Sequence, residues 1–258
     1  MKKLVLFAAL IITTSPALPA MAAGDAVEPP KQDWSFSGPF GTYDRAALQR
    51  GLQVYRNVCA ACHGLKRVYY RNLEALGYNE AQIKTIASEY TVQDGPSEEG
   101  EMFDRPGRPS DKFVSPYPNK AAAKYANNGA YPPDLSLITK ARAGGADYIH
   151  GVLVGYEDAP EGTELLPGQY WNEYMPGHVI AMPAPLSDGL VAYEDGTPET
   201  VDQYALDVTH FLTWAAEPEM EHRKQMGIRV VLYLMVFTFI LFLVKRKIWA
   251  DVKKKKKA

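Results

Sequence analysis

Apolar positions along this 258-residue chain fall into two runs and two helical stripes, with a long punctuated stretch between the stripes. The first run, residues 4–12, follows Lys2 and Lys3 and precedes Ala20-Met21-Ala22. A positive start, a short apolar middle and a small-residue end are the parts of a secretory signal, so the pattern predicts a cleaved signal over residues 1–23. The second run, residues 227–244, rises about 27 Å as a helix, close to the roughly 30 Å hydrocarbon thickness of a bilayer. Its one charge, Arg229, sits within one turn of the outer end, where its stem can lead the guanidinium back to the headgroups. Lys245-Arg246-Lys247, Trp249 and the lysines at 253–257 follow, and dense cationic charge beside an interfacial aromatic marks the cytoplasmic side. The expected order is signal 1–23, exported domain 24–222, transmembrane anchor 223–247 and basic cytoplasmic tail 248–258. The expectation is a single-pass protein of the cell inner membrane with its domain in the periplasm.

The stripes lie inside the exported domain. Leu48, Leu52, Tyr55, Cys59 and Cys62 recur at spacings of four, three, four and three, the signature of one buried helical face. Thr42 or Asp44 can cap that helix. Gly51 in its middle costs about 1 kcal/mol relative to alanine, which predicts a close helix–helix crossing. Val201, Ala205, Val208, Leu212 and Ala215 form the second stripe, on a helix predicted over 198–216. Thr197 is its expected cap, Pro198 its first-turn residue and Glu199 its dipole partner. Shorter helices are predicted over 80–90, 120–127 and 145–154. Residues 90–200 are otherwise rich in Pro and Gly, with little strand signal. The expected class is all-α with long irregular connections.

Charge changes the picture once the topology is drawn. The net charge is −2, from 28 Lys/Arg and 30 Asp/Glu. Setting aside the two signal lysines and the eight cations and one aspartate of 245–258 leaves 18 basic and 29 acidic residues in 23–244. Residues 144–222 hold fifteen of those acids and no Lys or Arg. Such a domain attracts a basic protein partner and speeds the encounter; it does not suit nucleic acid.

The candidate chemistry is Cys59-Ala60-Ala61-Cys62-His63. A C-x-x-C-H run is the attachment sequence of a c-type haem: two thiols one turn apart can bond the two vinyl groups, and the adjacent imidazole reaches the iron. A zinc site of this kind needs a second Cys or His pair, whereas Cys59 and Cys62 are the only cysteines. A redox dithiol belongs after a strand in an α/β pattern, which is missing here. Export agrees with the haem reading, because both thiols would be consumed as thioethers in an oxidising compartment.

A second axial ligand must come from Met102, Met175, Met182, Met220, His150, His178, His210 or His222. Met220 and His222 adjoin the anchor, His210 lies off the main apolar face of its helix, and Met102 stands among Glu98, Glu99, Glu101 and Asp104. Met175-Pro176 and Met182-Pro183 remain, since a following proline restrains the ligand's backbone. The apolar surroundings at 179–186 favour Met182, with Met175 as the other choice.

These features together resemble the cytochrome c1 family, the c-type haem subunits of ubiquinol:cytochrome c oxidoreductases (cytochrome bc1 complexes), in their bacterial form. The likeness covers nearly all of the chain after the signal. It rests on Arg50-Gly51-Leu52-Gln53-Val54-Tyr55 leading into the CAACH run, and on Val92-Gln93-Asp94-Gly95-Pro96 followed by Gly100-Glu101-Met102-Phe103. Asn127-Asn128-Gly129-Ala130-Tyr131-Pro132-Pro133-Asp134-Leu135-Ser136, Ala141-Arg142-Ala143-Gly144-Gly145, the Met182-Pro183 loop and the C-terminal anchor complete it.

The resemblance implies a class I cytochrome c-like haem domain with long irregular insertions plus one C-terminal transmembrane helix. It implies one covalent haem c on Cys59 and Cys62, with His63 and Met182 on the iron and Met175 as packing. Arg142 and Tyr148 would then stand near the propionates, with Asn127, Pro132 and Pro133 lining the crevice. The implied function is one-electron transfer from a Rieske iron–sulfur protein to a basic c-type cytochrome, in a dimeric complex with cytochrome b. Acids around 98–104 and 157–164 are the expected docking face. With both axial positions filled, the subunit by itself would carry out no substrate catalysis. The rivals are a tethered cytochrome serving an oxidase and a peroxidase-like haem enzyme with an open distal site.

Overall fold

The computed structural model describes residues 27–255, so the expected signal lies outside the described residues. Among the described residues six α-helices carry the fold: α1 (Arg45–Asn57), α2 (Glu80–Ser88), α3 (Lys120–Ala126), α4 (Gly145–Val154), α5 (Val201–Ala216) and α6 (Met220–Lys255). Short 3-10 segments at Cys59–Ala61 and Tyr70–Leu76 bridge the first two helices.

The core is the crossing of α1 with α5. Leu48, Leu52, Val54 and Tyr55 on α1 meet Tyr204, Val208, Phe211 and Trp214 on α5, and each is 1 % exposed or less. Gly51 marks the point of closest approach: a Cβ built there would stand 2.0 Å from the Asp207 carbonyl oxygen. The close crossing expected from Gly51 is therefore present. Beside it, Arg50 holds both Asp207 carboxylate oxygens at 2.9 Å, while Asp207 is only 1 % exposed. An aromatic layer of Tyr55, Phe113 and Tyr70 continues the core beneath the 3-10 segments. Helix α4 packs across α5 and closes the far side.

Several boundaries differ from the sequence expectation for identifiable reasons. Asp44, and not Thr42, caps α1, accepting from the Ala46 and Ala47 amides at 2.9 and 3.2 Å. Thr42 instead donates its amide to the Ser35 carbonyl. Helix α5 starts at Val201 with Thr200 as its cap, not at Pro198 with Thr197. Thr197 turns back to Asp195, and Glu199 accepts from the Tyr193 amide, so both are spent on the preceding loop. The α1 helix ends at Asn57, and the thiol region is a 3-10 turn that only approximates the predicted stripe.

The turn-rich region also contains two small antiparallel ribbons. β1 (Thr91–Asp94) pairs with β2 (Phe103–Pro106), Thr91 opposite Pro106. β3 (Tyr170–Trp171) pairs with β4 (Val179–Ile180), Tyr170 opposite Ile180. The two-residue strands are too short to show the alternation that announces a strand, and the four-residue ones each carry a single large apolar residue, Val92 and Phe103.

Helix α6 runs on from the domain without a break and presents an exposed apolar surface from Val230 to Val244. It is long and apolar enough to cross a membrane.

Candidate functional site: an apolar cleft at the CAACH turn

The 3-10 turn after α1 sets the site. The Cys62 and His63 amides both donate to the Cys59 carbonyl, at 3.1 and 2.8 Å, which brings the two cysteines and the histidine round one tight bend. The Tyr55 hydroxyl, itself in the core, donates to the His63 carbonyl at 3.0 Å and ties the bend to α1. On the opposite strand of chain, Asp134 accepts from the Lys66 and Ser136 amides, and Leu135 donates to the Gly64 carbonyl. These bonds hold residues 132–136 against the turn.

The bend opens on a cleft of about 390 Å³, within the range of small-molecule and cofactor sites. All nine residues singled out from the sequence line it: Cys59, Cys62, His63, Asn127, Pro132, Pro133, Arg142, Tyr148 and Met182. Val58 at the end of α1, Leu135 and Ile138 from the loop between α3 and α4, Ile149 and Val152 on α4 and Leu212 on α5 supply apolar walls.

His63 is oriented by one bond. Its Nδ1 lies 2.7 Å from the Pro133 carbonyl oxygen. A carbonyl can only accept, so Nδ1 carries the proton and Nε2 keeps its lone pair. Burial lowers the pKa of the imidazole, against the smaller opposing pull of the Pro133 bond and Asp134. A neutral ring with a free Nε2 is the form that binds a metal. Burial also pushes the Cys59 thiol up to about 12, with Cys62 adding to the effect. A buried thiol of that kind is a poor free nucleophile, whereas a thioether there carries no proton to lose.

Met182 arrives on a separate scaffold. Asn172 is wholly buried; its Nδ2 donates to the Val152 carbonyl at 2.8 Å and its Oδ1 accepts from the Tyr174 and Met175 amides. It thereby pins the bend between β3 and β4 to helix α4. The Tyr156 hydroxyl donates to the Met182 carbonyl at 3.1 Å. Neither Asn172 nor Tyr156 stood out in the sequence, although Asn172-Glu173-Tyr174-Met175 has the pattern of an Asx turn. Met175 lines the same cleft, where the Tyr148 hydroxyl donates to its sulfur at 3.3 Å.

The remaining candidates are placed as follows. Asn127 donates from Nδ2 to the Ala123 carbonyl and the Tyr117 hydroxyl, stiffening the rim after α3. Arg142 donates to the Ala141 carbonyl and, among the described residues, pairs with no carboxylate. An unpaired guanidinium at the edge of an apolar cleft suits a carboxylate-bearing ligand.

The residues present fit a c-type haem. Two thiols, an imidazole with its outer nitrogen fixed and its inner one free, and a methionine on a braced loop share one apolar cleft. Zinc fits poorly, since no three His, Cys, Asp or Glu side chains cluster as a metal site among the described residues.

Comparison with known proteins agrees. A family profile described as the Cytochrome C1 family matches residues 34–252. Cytochrome c1 of Rhodospirillum rubrum is 47 % identical over 268 residues, covering 98 % of both chains. The mitochondrial cytochrome c1 heme protein of Saccharomyces cerevisiae is 48 % identical over 236 residues, 91 % of this chain and 76 % of the relative. A cytochrome b/c1 protein of Bradyrhizobium diazoefficiens is 51 % identical over 246 residues; the match spans 87 % of this chain but 36 % of that longer protein. The chain thus belongs to the cytochrome c1 family, which carries one covalently bound haem c.

Proposed function

We propose that this chain accepts single electrons from a Rieske iron–sulfur protein and passes them to a basic c-type cytochrome, as the electron-transfer subunit of a cytochrome bc1 complex. One observation carries this reading: Cys59, Cys62, His63 and Met182 converge on one apolar cleft. When bound, the haem supplies a one-electron iron couple whose potential is raised by His/Met ligation.

The chain's own residues do the rest. Cys59 and Cys62 hold the group covalently. His63 presents Nε2 because Pro133 engages Nδ1. Met182 offers its sulfur from a loop held by Tyr156 and, through Asn172, by α4. Arg142, whose guanidinium pairs with no carboxylate among the described residues, would meet a propionate with Tyr148 beside it, and Asn127, Pro132 and Pro133 would line the crevice. With His63 and Met182 both engaged, no position would be left for a substrate, and the subunit alone would carry out no catalysis.

Docking is assigned to exposed acids. Glu98, Glu99, Glu101 and Asp104 form one group, and Glu157, Asp158, Glu161 and Glu164 another. Their charge attracts a basic acceptor and releases it readily. In this reading a signal over 1–23, a periplasmic domain over 24–222, an anchor over 223–247 and a cytoplasmic tail over 248–258 would put the electron transfer on the outer face of the inner membrane. Cytochrome b and a second copy of the complex complete the assembly.

Purification of the full chain in mild detergent tests the assignment. Co-recovery with cytochrome b and a Rieske protein is the expected result; recovery with an oxidase would overturn it.

A further inference from the structure

Residues 36–41 form a slender loop at the base of the long helix. The Thr42 amide donates to the Ser35 carbonyl at 3.0 Å and closes it. Phe36 turns inward, 5.4 Å from the Trp34 ring and 5.3 Å from that of His210. Phe40 turns outward and is 79 % exposed.

The loop is fastened to α6. The Lys224 ammonium donates to the Phe36 carbonyl at 2.6 Å and to the Gly41 carbonyl at 3.1 Å. Two further ties hold the same collar: Glu221 accepts from the Tyr43 amide at 2.7 Å and from Arg45 at 2.7 Å. Phe40 is thus fixed in height along the helix, one residue from a carbonyl that Lys224 grips.

That height is informative. Lys224 precedes Gly227, the first residue of the apolar run, by about 4.5 Å of helix rise. It precedes Trp249, exposed at the other end, by about 37 Å. A hydrocarbon core is roughly 30 Å thick, with interfacial layers on either side. In a bilayer spanned by α6, Trp249 and the Phe40 loop would fall at the levels of opposite interfacial layers, where tryptophan concentrates and phenylalanine inserts at the headgroup–acyl boundary. A protein partner is a poorer match, because the other exposed members of the loop, Ser37, Gly38 and Pro39, add no second large apolar side chain beside Phe40.

We propose that Phe40 seats in the lipid headgroup–acyl boundary beside α6, and that the loop over residues 36–41 sets the depth and tilt of the domain on the membrane. The inference rests on α6 crossing a bilayer.

Site-directed spin labelling tests both at once. Nitroxides are placed on Phe40→Cys, on Phe237→Cys within the apolar run, and on Tyr125→Cys, which is 93 % exposed on the domain. The wild-type chain serves as the labelling blank. Full-length protein with its retained subunits is set in nanodiscs of phosphatidylcholine and phosphatidylglycerol. Relaxation by oxygen relative to a water-soluble nickel chelate is then measured. The expected order of the oxygen-to-nickel ratio is Phe237 above Phe40 above Tyr125. A Phe40 label as open to nickel as Tyr125, with Phe237 in lipid, overturns this inference alone. A Phe40 label immobile and closed to both agents means that a protein covers it, and also overturns the inference. A nickel-accessible Phe237 removes the membrane reading and this one with it.

Discussion

The Nδ1 of His63 lies 2.7 Å from the carbonyl oxygen of Pro133, seventy positions further along the chain. That bond settles the tautomer of the imidazole and leaves Nε2 directed at the ligand's side of the ring. It depends on Asp134, which accepts the Lys66 and Ser136 amides and holds the proline pair against the CAACH turn. The ligand geometry is therefore a property of two distant segments and not of the pentapeptide alone.

The two methionines of the cleft make different predictions. Met182→Leu should lower the reduction potential and let carbon monoxide bind the reduced protein, because the second axial position opens. Met175→Leu should leave the protein closed to carbon monoxide, since its sulfur is engaged by Tyr148. Reduced-minus-oxidised spectra with and without the gas distinguish the two; the opposite pattern would transfer the ligand role to Met175.

Asn172 braces the methionine loop from within the core. Asn172→Ala leaves the Val152 carbonyl and two amides without their partner, and each unpaired buried group costs about 1–3 kcal/mol. Thermal unfolding should show a loss of at least about 2 kcal/mol. The variant should also bind carbon monoxide more readily than wild type, as the loop loosens.

Gly51 sets helix propensity against packing. Alanine gains about 1 kcal/mol as a helix former, but its Cβ would stand 2.0 Å from the Asp207 carbonyl oxygen. Backbone cannot yield as a side chain tip does, so α1 and α5 must separate. Gly51→Ala should destabilise by about 1–3 kcal/mol or more, seen as a lowered melting temperature. A stabilised variant would contradict the crossing geometry.

His150 predicts a pH effect on stability. Its ring is 2 % exposed, with Nε2 at 3.0 Å from Asp202 and Trp34 edge-on at 6.2 Å. Burial lowers its pKa below the ordinary 6.5, outweighing Asp202 and Asp147, which act to raise it. The neutral form is therefore favoured by folding. Its contribution is intact above about pH 6.5 and is lost as the pH falls from there toward the lowered folded value, with a slope of at most about 1.4 kcal/mol per pH unit. His150→Asn should flatten that part of the melting-temperature profile relative to wild type.

The exposed acids predict a salt response. Reduction of a basic acceptor should slow by about tenfold or more as ionic strength rises to about 0.5 M. Stopped-flow rates at several salt concentrations would show it, and a flat response would remove the docking role from the 98–104 and 157–164 groups.

Much of the fold was legible in local pattern. The helix over Gly145–Val154 matches its expected bounds, and the stripes of α1 and α5 meet in the core as their spacing required. Gly51 announced the crossing because a glycine inside a helix is unfavourable without a packing reason. The 3-10 segment Tyr70–Leu76 and both ribbons were not legible. They are short, and they are held by bonds to distant partners such as the Tyr70 amide to the Asp111 carbonyl.

Among the site residues, chain-local chemistry determined Cys59, Cys62 and His63, because attachment needs thiols and an imidazole within one turn. It also determined the apolar run of α6, whose composition depends on the solvent it must meet. Sequence reading favoured Met182 over Met175, and both line the cleft; only the tertiary structure decided what holds the Met182 loop there: the Asn172 hub, Tyr156 and the β3–β4 bend. It likewise decided the His63 tautomer through Pro133 and the height of Phe40 through Lys224. Each of these is a hydrogen bond between segments remote in sequence. Such bonds leave no periodicity, because their partners are chosen by where the packed helices bring the chain together.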